Sequence, residues 1–306
     1  HLAHLPTPIE SMQHLSKELG ISLLVKRDDL TGLAFGGNKT RKLEFLLADA
    51  QASGAKTLIT TGALQSNHCR QTAAVAARYG MDCILVLVGE SPQEMSGNLL
   101  LDFLLGAELS WTPMEKRDES LQTICEQAQA DGREPYLIPY GGSNPIGATA
   151  FALAMKEVLE QGVHPDWVVV ASSSGGTQAG LVVGAQLFNF QGKILGISID
   201  TPEVELCLHV ADLATQTAGF LGSKKSIAAD AVNVTADYLG AGYGKPGALE
   251  INAIKTFSQM EGILLDPVYT GRAAGGLIDL ATRGFFNPGQ TCLLYTSDAA
   301  DDLLQV

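Results

Sequence analysis

The feature that most restricts this chain is an alternation: strand-sized apolar runs recur, each followed by a stretch with helical period. The runs at 57–61 (TLITT), 83–88 (CILVLV), 167–171 (WVVVA) and 194–199 (ILGISI) lack the apolar–polar alternation of a half-exposed strand. Strands of that kind are buried on both faces, as parallel strands are when helices cover them above and below. Helical patterns fill 68–79, 98–105, 119–130, 145–161, 177–189, 203–220, 247–261 and 271–283, with a short strand at 136–139 and a last apolar run at 292–295. The pattern predicts an α/β fold with two open, twisted, mainly parallel sheets.

Gly141-Gly142-Ser143-Asn144-Pro145 is a natural place for the chain to cross between two such units. The expected division is a smaller α/β lobe over 46–143 and a larger one from 1–45 plus 144–306. No internal repeat, charge block or low-complexity linker interrupts either. Apolar runs stay far below the ~18 residues that span a bilayer, and no signal peptide is visible. The chain starts at His1 without a methionine, which leads us to expect a missing upstream piece. Five scattered cysteines with no C-x-x-C pair argue for free thiols in a reducing compartment and against structural zinc. A net charge of −13 disfavours nucleic acid as a partner. These bounds describe a cytoplasmic enzyme acting on a small molecule, with no metal.

In open α/β sheets, ligands sit where loops leave the carboxyl ends of strands. Four such loops carry chemistry. Gly36-Gly37-Asn38-Lys39-Thr40-Arg41-Lys42 puts a lysine after a glycine bend, at the start of a helix whose Leu43, Leu46, Leu47 and Ala50 form one apolar stripe and whose stop is Gly54. Desolvation, with Arg41 and Lys42 as cationic neighbours, lowers the pKa of such an amine and lets it attack a carbonyl. The loop 171–180 (ASSSGGTQAG) opens a helix after WVVVA, so its small residues and helix N-terminus form a cup for a phosphate, with no lysine of its own. It spells neither a P-loop nor G-x-G-x-x-G, which removes the support for a nucleotide-dependent oxidoreductase. Gly62-Ala63-Leu64-Gln65-Ser66-Asn67-His68 offers Ser66 and Asn67 to a carboxylate or phenolic oxygen, or as ordinary helix caps; His68 reads as structural. Tyr243 and Tyr269 stand in glycine- or proline-rich turns, where each can serve proton transfer or fill the core.

A lysine, a phosphate cup, an asparagine loop and two tyrosines match what pyridoxal 5′-phosphate needs from a protein. The blocks KRDDLTGLAFGGNKTRKLEFL, GALQSNHCRQTAAVAA, IPYGGSNPIGA, SSGGTQAG, GYGKP and LLDPVYTG, in this order from about His4 to Leu294, resemble the D-cysteine desulfhydrase and 1-aminocyclopropane-1-carboxylate (ACC) deaminase family. That family belongs to the fold type II, tryptophan synthase β-like enzymes, which hold the cofactor in the cleft between two lobes. The resemblance implies that Lys39 holds the cofactor and moves the Cα proton. It further implies that Asn67 bonds the cofactor's O3′, Ser66 binds the substrate carboxylate, and Ser174, Gly175, Gly176 and Thr177 wrap the phosphate. Tyr243 and Tyr269 flank the substrate, and Thr296 meets the pyridine nitrogen. The implied reaction is α,β-elimination by a homodimer. Tyr269-Thr270, where ring-opening relatives carry Tyr-Glu, together with Ser66-Asn67-His68, favours D-cysteine over ACC; an L-cysteate sulfo-lyase shares the same motifs, including a similar HLAHLPTP opening.

The tail departs from the family pattern. Where relatives continue with His-Thr-Gly-Gly, this chain reads Tyr295-Thr296-Ser297-Asp298 and then AADDLLQV, bringing in Asp298, Asp301 and Asp302. The expectation is a truncated or foreign C-terminus that weakens cofactor binding, in the extreme leaving a relative without activity.

Overall fold

The structure, a computed structural model, describes residues 1–297; Asp298, Asp301 and Asp302 lie outside the described residues. Among the described residues, ten strands follow in chain order: β1 (Ile9–Ser11), β2 (Ser22–Lys26), β3 (Thr57–Ala63), β4 (Asp82–Val88), β5 (Glu108–Thr112), β6 (Pro135–Leu137), β7 (Trp167–Ser172), β8 (Lys193–Ser198), β9 (Asn233–Thr235) and β10 (Thr291–Tyr295). The helices are α1 (Gln13–Leu19), α2 (Lys39–Ala52), α3 (Asn67–Tyr79), α4 (Gly97–Leu104), α5 (Arg117–Ala130), α6 (Pro145–Glu160), α7 (Gly176–Leu187), α8 (Glu203–Phe220), α9 (Ala248–Glu261) and α10 (Thr270–Thr282).

The strands form two sheets, one of six in the order β1-β2-β10-β7-β8-β9 and one of four in the order β5-β4-β3-β6. Every pairing is parallel except β1 with β2. The two-sheet α/β architecture expected from the apolar runs is therefore present. Its cause is visible in β7: Val168, Val169 and Val170 are all buried, with Val169 packing among residues of one cluster and Val168 and Val170 in another on the opposite face. The second sheet repeats this in β3 and β4, where Leu58 and Leu85 face one cluster while Ile59, Ile84 and Val86 face another.

Elements that the hydrophobic pattern did not reveal are edges or short pieces. β1, β5 and β9 are the outer strands of their sheets and carry half-exposed residues, so they show little apolar signal. β2 pairs along its length with β10, Ser22 opposite Thr291 through Lys26 opposite Tyr295, so the first and last strands of this sheet's centre come from opposite ends of the sequence. α2, α3 and α7 all start at the carboxyl ends of strands or next to them, and the segment 140–142 brings Tyr140 and two glycines to the same place.

Candidate active site

The chain bends sharply at Gly36 and Gly37, with φ of +84° and +125°. A Cβ at Gly36 would stand 2.2 Å from the carbonyl oxygen of Asp29, so this approach requires glycine. α2 then begins at Lys39; its stripe of Leu43, Leu46, Leu47 and Ala50 is buried, and Gly54 follows its end in the left-handed region. The Asn38 amide donates to the Ser297 carbonyl at 2.6 Å, tying this helix start to the end of β10. Lys39 Nζ donates to Asn38 Oδ1 at 2.9 Å and stands 5.5 Å from the centroid of the Tyr269 ring.

Of the two cationic neighbours expected for Lys39, only one is beside the site. Arg41 turns away into a buried ion network, meeting Asp28 through Nε at 2.7 Å and Nη2 at 2.9 Å, and Glu157 through Nη1 at 2.9 Å and Nη2 at 2.8 Å. Lys26 joins through Glu157 Oε1 at 2.5 Å. This network joins the first turn of α2 to α6 and to the end of β2, so it fixes the helix that carries Lys39. Lys42 stays: it is buried, and its ammonium donates to the Gly141 carbonyl and to Ser143 Oγ, both at 3.1 Å. Burial, and after it the charge of Lys39, pushes the Lys42 pKa well below the ordinary lysine value.

Lys39, Ser66, Asn67, Ser174, Gly175, Thr177 and Tyr269 line one cavity, together with His68, Tyr140 and Ser297. Ser66 caps α3, accepting from the Cys69 amide at 3.2 Å, which leaves its own hydroxyl hydrogen to donate. Asn67 accepts at Oδ1 from the Asn98 side-chain amide at 2.6 Å, so its own NH2 is the group left to face a ligand. His68 Nε2 meets Thr60 Oγ1 at 2.9 Å, and burial, then Lys39 and Lys42, drives the ring's pKa well down, which keeps it neutral.

Three expected residues stand differently. Tyr243 does not line this cavity; its hydroxyl meets that of Tyr269 at 2.7 Å, from the far side. Gly176 sits just behind the wall, where a Cβ would come within 2.5 Å of Ser143 Oγ and 2.8 Å of Lys42 Nζ. Thr296 is buried away from the cavity, with its hydroxyl bonded at 2.8 Å to the Lys26 carbonyl and at 2.9 Å to Asp29 Oδ1, and Ser297 is the residue of that strand end which lines the site.

Sequence reasoning missed Ser143 and Tyr140, and it read Lys42 as a neighbour of Lys39 and not as part of the cup. The cup after β7 does have a lysine, supplied by a different helix. The signal was there, because Lys39 and Lys42 are three residues apart and so share a helix face. Tyr140 packs under the guanidinium of Arg117, 4.9 Å from its ring centroid, and burial raises its pKa.

These residues fit pyridoxal phosphate. The cradle at Gly175–Thr177 combines the N-terminus of α7 with Lys42 and the mutually bonded hydroxyls of Ser143 and Ser174 (2.8 Å), a donor set suited to a dianion. Ser172 Oγ, buried in the same wall, has no hydrogen-bond partner among the described residues. Among the described residues that line the cavity, Lys39 is the one amine.

Fold and site together define an α/β pyridoxal-phosphate enzyme of fold type II, with two mainly parallel sheets. The model of the family described as "pyridoxal-phosphate dependent enzyme" matches residues 1–298, and the chain belongs to that family, within its D-cysteine desulfhydrase and ACC deaminase group. It is 41% identical over 304 residues to D-cysteine desulfhydrases of Salmonella paratyphi B and Salmonella newport, covering 96% of this chain and 92% of each relative. A crystal structure described as an ACC deaminase homologue superposes with a TM-score of 0.90 at 38% identity, covering 97% of this chain and 90% of that one. O-ureido-L-serine synthase, at 18% identity and a TM-score of 0.72 over 98% of this chain and 91% of its own, shares the fold. Among the described residues, no helix is long and apolar enough to cross a membrane.

Proposed function

We propose that this enzyme eliminates hydrosulfide from D-cysteine, yielding pyruvate, hydrogen sulfide and ammonia. The observation that carries the reading is the position of Lys39, in one cavity with Ser174, Gly175 and Thr177 and 5.5 Å from the ring of Tyr269, whose hydroxyl pairs with that of Tyr243. The 41% identity to D-cysteine desulfhydrases supports it.

When bound, pyridoxal phosphate supplies an electron sink that makes the substrate's Cα–H acidic. Ser174, Gly175, Gly176 and Thr177, with Lys42 and Ser143, would hold its phosphate, and Asn67, whose amide is oriented by Asn98, would bond its O3′. Lys39 holds the cofactor through Nζ, and the same nitrogen takes the proton from the substrate's Cα. Ser66 and neighbouring backbone N–H groups of the α3 N-terminus bind the carboxylate. Tyr269 flanks the substrate with Tyr243 behind it, and their hydroxyl pair donates to the departing sulfur. Burial raises both phenol pKa values, so the pair stays protonated and serves as a neutral donor. Thr296 would serve the pyridine side through the backbone it fixes at Lys26 and Asp29, which leaves Ser297 lining the cavity.

The lobes in this reading are 46–143 and 1–45 plus 144–306, with the reaction in the cleft between them. A cytoplasmic homodimer is the assembly we propose for it. ACC deamination is the second reading, favoured by the resemblance to the ACC deaminase homologue; against it, Thr270 follows Tyr269 and supplies no carboxylate to that loop. L-cysteate desulfonation is the third.

Sulfide release from D-cysteine by the purified protein supplemented with pyridoxal phosphate tests the proposal, with Lys39→Ala as control. Release that disappears in the control is expected. Pyruvate or α-ketobutyrate formed only from L-cysteate or ACC, with no sulfide from D-cysteine, overturns it.

A further inference from the structure

Arg272, on α10 three residues after Tyr269, has only 1% of its surface exposed, so its guanidinium hydrogens have to find partners inside the protein. Nε donates to Glu250 Oε1 at 2.5 Å and Nη1 to the Ile199 carbonyl at 2.6 Å. Nη2 reaches the Gly242 carbonyl at 3.3 Å and the Lys245 carbonyl at 3.5 Å, one on each side of Tyr243. Glu250 closes the circuit, because its other oxygen accepts the Gly247 amide at 2.7 Å. Burial opposes the ionisation of Glu250, but the Gly247 amide and Arg272 outweigh it and hold the carboxyl below its ordinary pKa, so the pair stays charged. Tyr269 is fixed at the start of the same helix, where the buried Asp266 side chain accepts the amides of Val268 at 3.1 Å, Tyr269 at 2.6 Å and Thr270 at 2.8 Å.

The segment 236–247 has no helix or strand of its own, and Gly240, Gly242 and Gly244 all take positive φ. Such a backbone has wide freedom, so a fixed place for Tyr243 has to be imposed from outside. A buried ion pair gains little over apolar packing in stability, which directs attention to the geometry it fixes. We propose that Arg272 is a positioning residue for the elimination: it holds the Tyr243 loop against the helix that begins beside Tyr269, and so sets the contact between the two hydroxyls. This rests on the elimination reading above. Arg272 does not line the cavity that holds Lys39, so it acts on the tyrosines and not on cofactor or substrate. With the guanidinium removed, the Tyr243 loop is released, and Tyr269 loses the partner 2.7 Å from its hydroxyl.

The test is a double-mutant cycle on the holoenzyme with Arg272→Met, Tyr243→Phe and the two combined, following pyruvate formed from D-cysteine. Arg272→Met is expected to lower kcat about tenfold, as Tyr243→Phe does, with KM changed by less than about threefold. In the combined variant the losses should not multiply, because the second change removes what the first had already displaced. Arg272→Lys, which returns a cation to Glu250, should recover most of kcat, and the absorption of bound cofactor should be unchanged throughout. Hydrogen exchange should quicken over 240–247 in Arg272→Met and stay as it was over Thr57–Ala63. Arg272→Met combined with Glu250→Gln leaves no buried charge unpaired, so it carries the same test where the single variant does not fold. A loss of about 100-fold in the variant combined with Tyr243→Phe means independent effects and overturns the positioning role, leaving the elimination reading standing. An unchanged kcat in Arg272→Met, or a loss matched by lost cofactor absorption, does the same. Wild-type protein that forms no pyruvate from D-cysteine overturns the elimination reading, and this inference with it.

Discussion

The hydroxyl oxygens of Tyr243 and Tyr269 lie 2.7 Å apart, and the Tyr269 ring stands 5.5 Å from the Lys39 ammonium. The two phenols come from loops 26 residues apart and meet edge to face, with ring centroids 6.0 Å apart. One contact therefore fixes the hydroxyl of the ring that stands beside the amine.

Tyr269→Phe removes the hydroxyl of the ring beside Lys39 and is expected to lower kcat for D-cysteine by roughly 10²-fold or more, the usual scale for losing a positioned proton donor. Tyr243→Phe, which acts from behind, should cost less, about tenfold. Both variants should retain the visible absorption of bound cofactor, so steady-state kinetics beside an absorption spectrum separates lost chemistry from lost binding.

Lys42→Met keeps the buried stem and deletes the ammonium that faces Ser143 and the Gly176 backbone. A charge-assisted hydrogen bond contributes about 1.5–3 kcal/mol, so affinity for pyridoxal phosphate should fall roughly 10- to 100-fold. Titrating the apoenzyme with cofactor and following its absorption measures this directly. Excess cofactor should restore activity in Lys42→Met but not in Lys39→Ala.

Asp102 is buried with neither carboxylate oxygen hydrogen-bonded among the described residues, and burial raises its pKa to about 8 against the lowering effect of Arg70. A raised folded-state pKa means that its contribution is fully present below the unfolded value of 3.8 and is lost as pH rises through about 8. Wild-type stability should therefore decline between pH 5 and pH 9 more steeply than that of Asp102→Asn, by up to about 4 kcal/mol over that interval, nearly all of it below pH 8. Urea unfolding at several pH values measures the difference; parallel profiles for the two proteins would contradict this assignment.

Glu157 shows the opposite linkage. Burial opposes its ionisation, but Arg41 and Lys26 outweigh burial and hold its pKa at about 2. That stability is present above the unfolded value of 4.5 and is lost as pH falls through about 2. Glu157→Gln leaves Arg41 and Lys26 short of a charge partner in a buried network, which should destabilise the fold by about 3–5 kcal/mol in chemical denaturation at neutral pH. Because the network fixes α2, the same variant should also bind cofactor less tightly.

What sequence alone determined was whatever depends on neighbours along the chain. The buried stripe of α2, the double-glycine bend before Lys39, the cup after β7 and the cap at Ser66 are local, and each was legible from spacing and residue type. The parallel sheets were legible too, because strands covered on both faces must be apolar throughout. The rest needed three-dimensional pairing. Nothing near Ser22–Lys26 announces that it lies beside Thr291–Tyr295, since that contact is made by backbone hydrogen bonds between distant segments. Only folding showed that Arg41 belongs to Asp28 and Glu157 while Lys42 reaches the cup, although both follow Lys39 by at most three residues. A helix turns each successive side chain by about 100°, so adjacent cations look into different surroundings. Thr296 makes the same point: its identity suggested a ligand, but the strand register gives its hydroxyl to Lys26 and Asp29 and turns Ser297 toward the cavity.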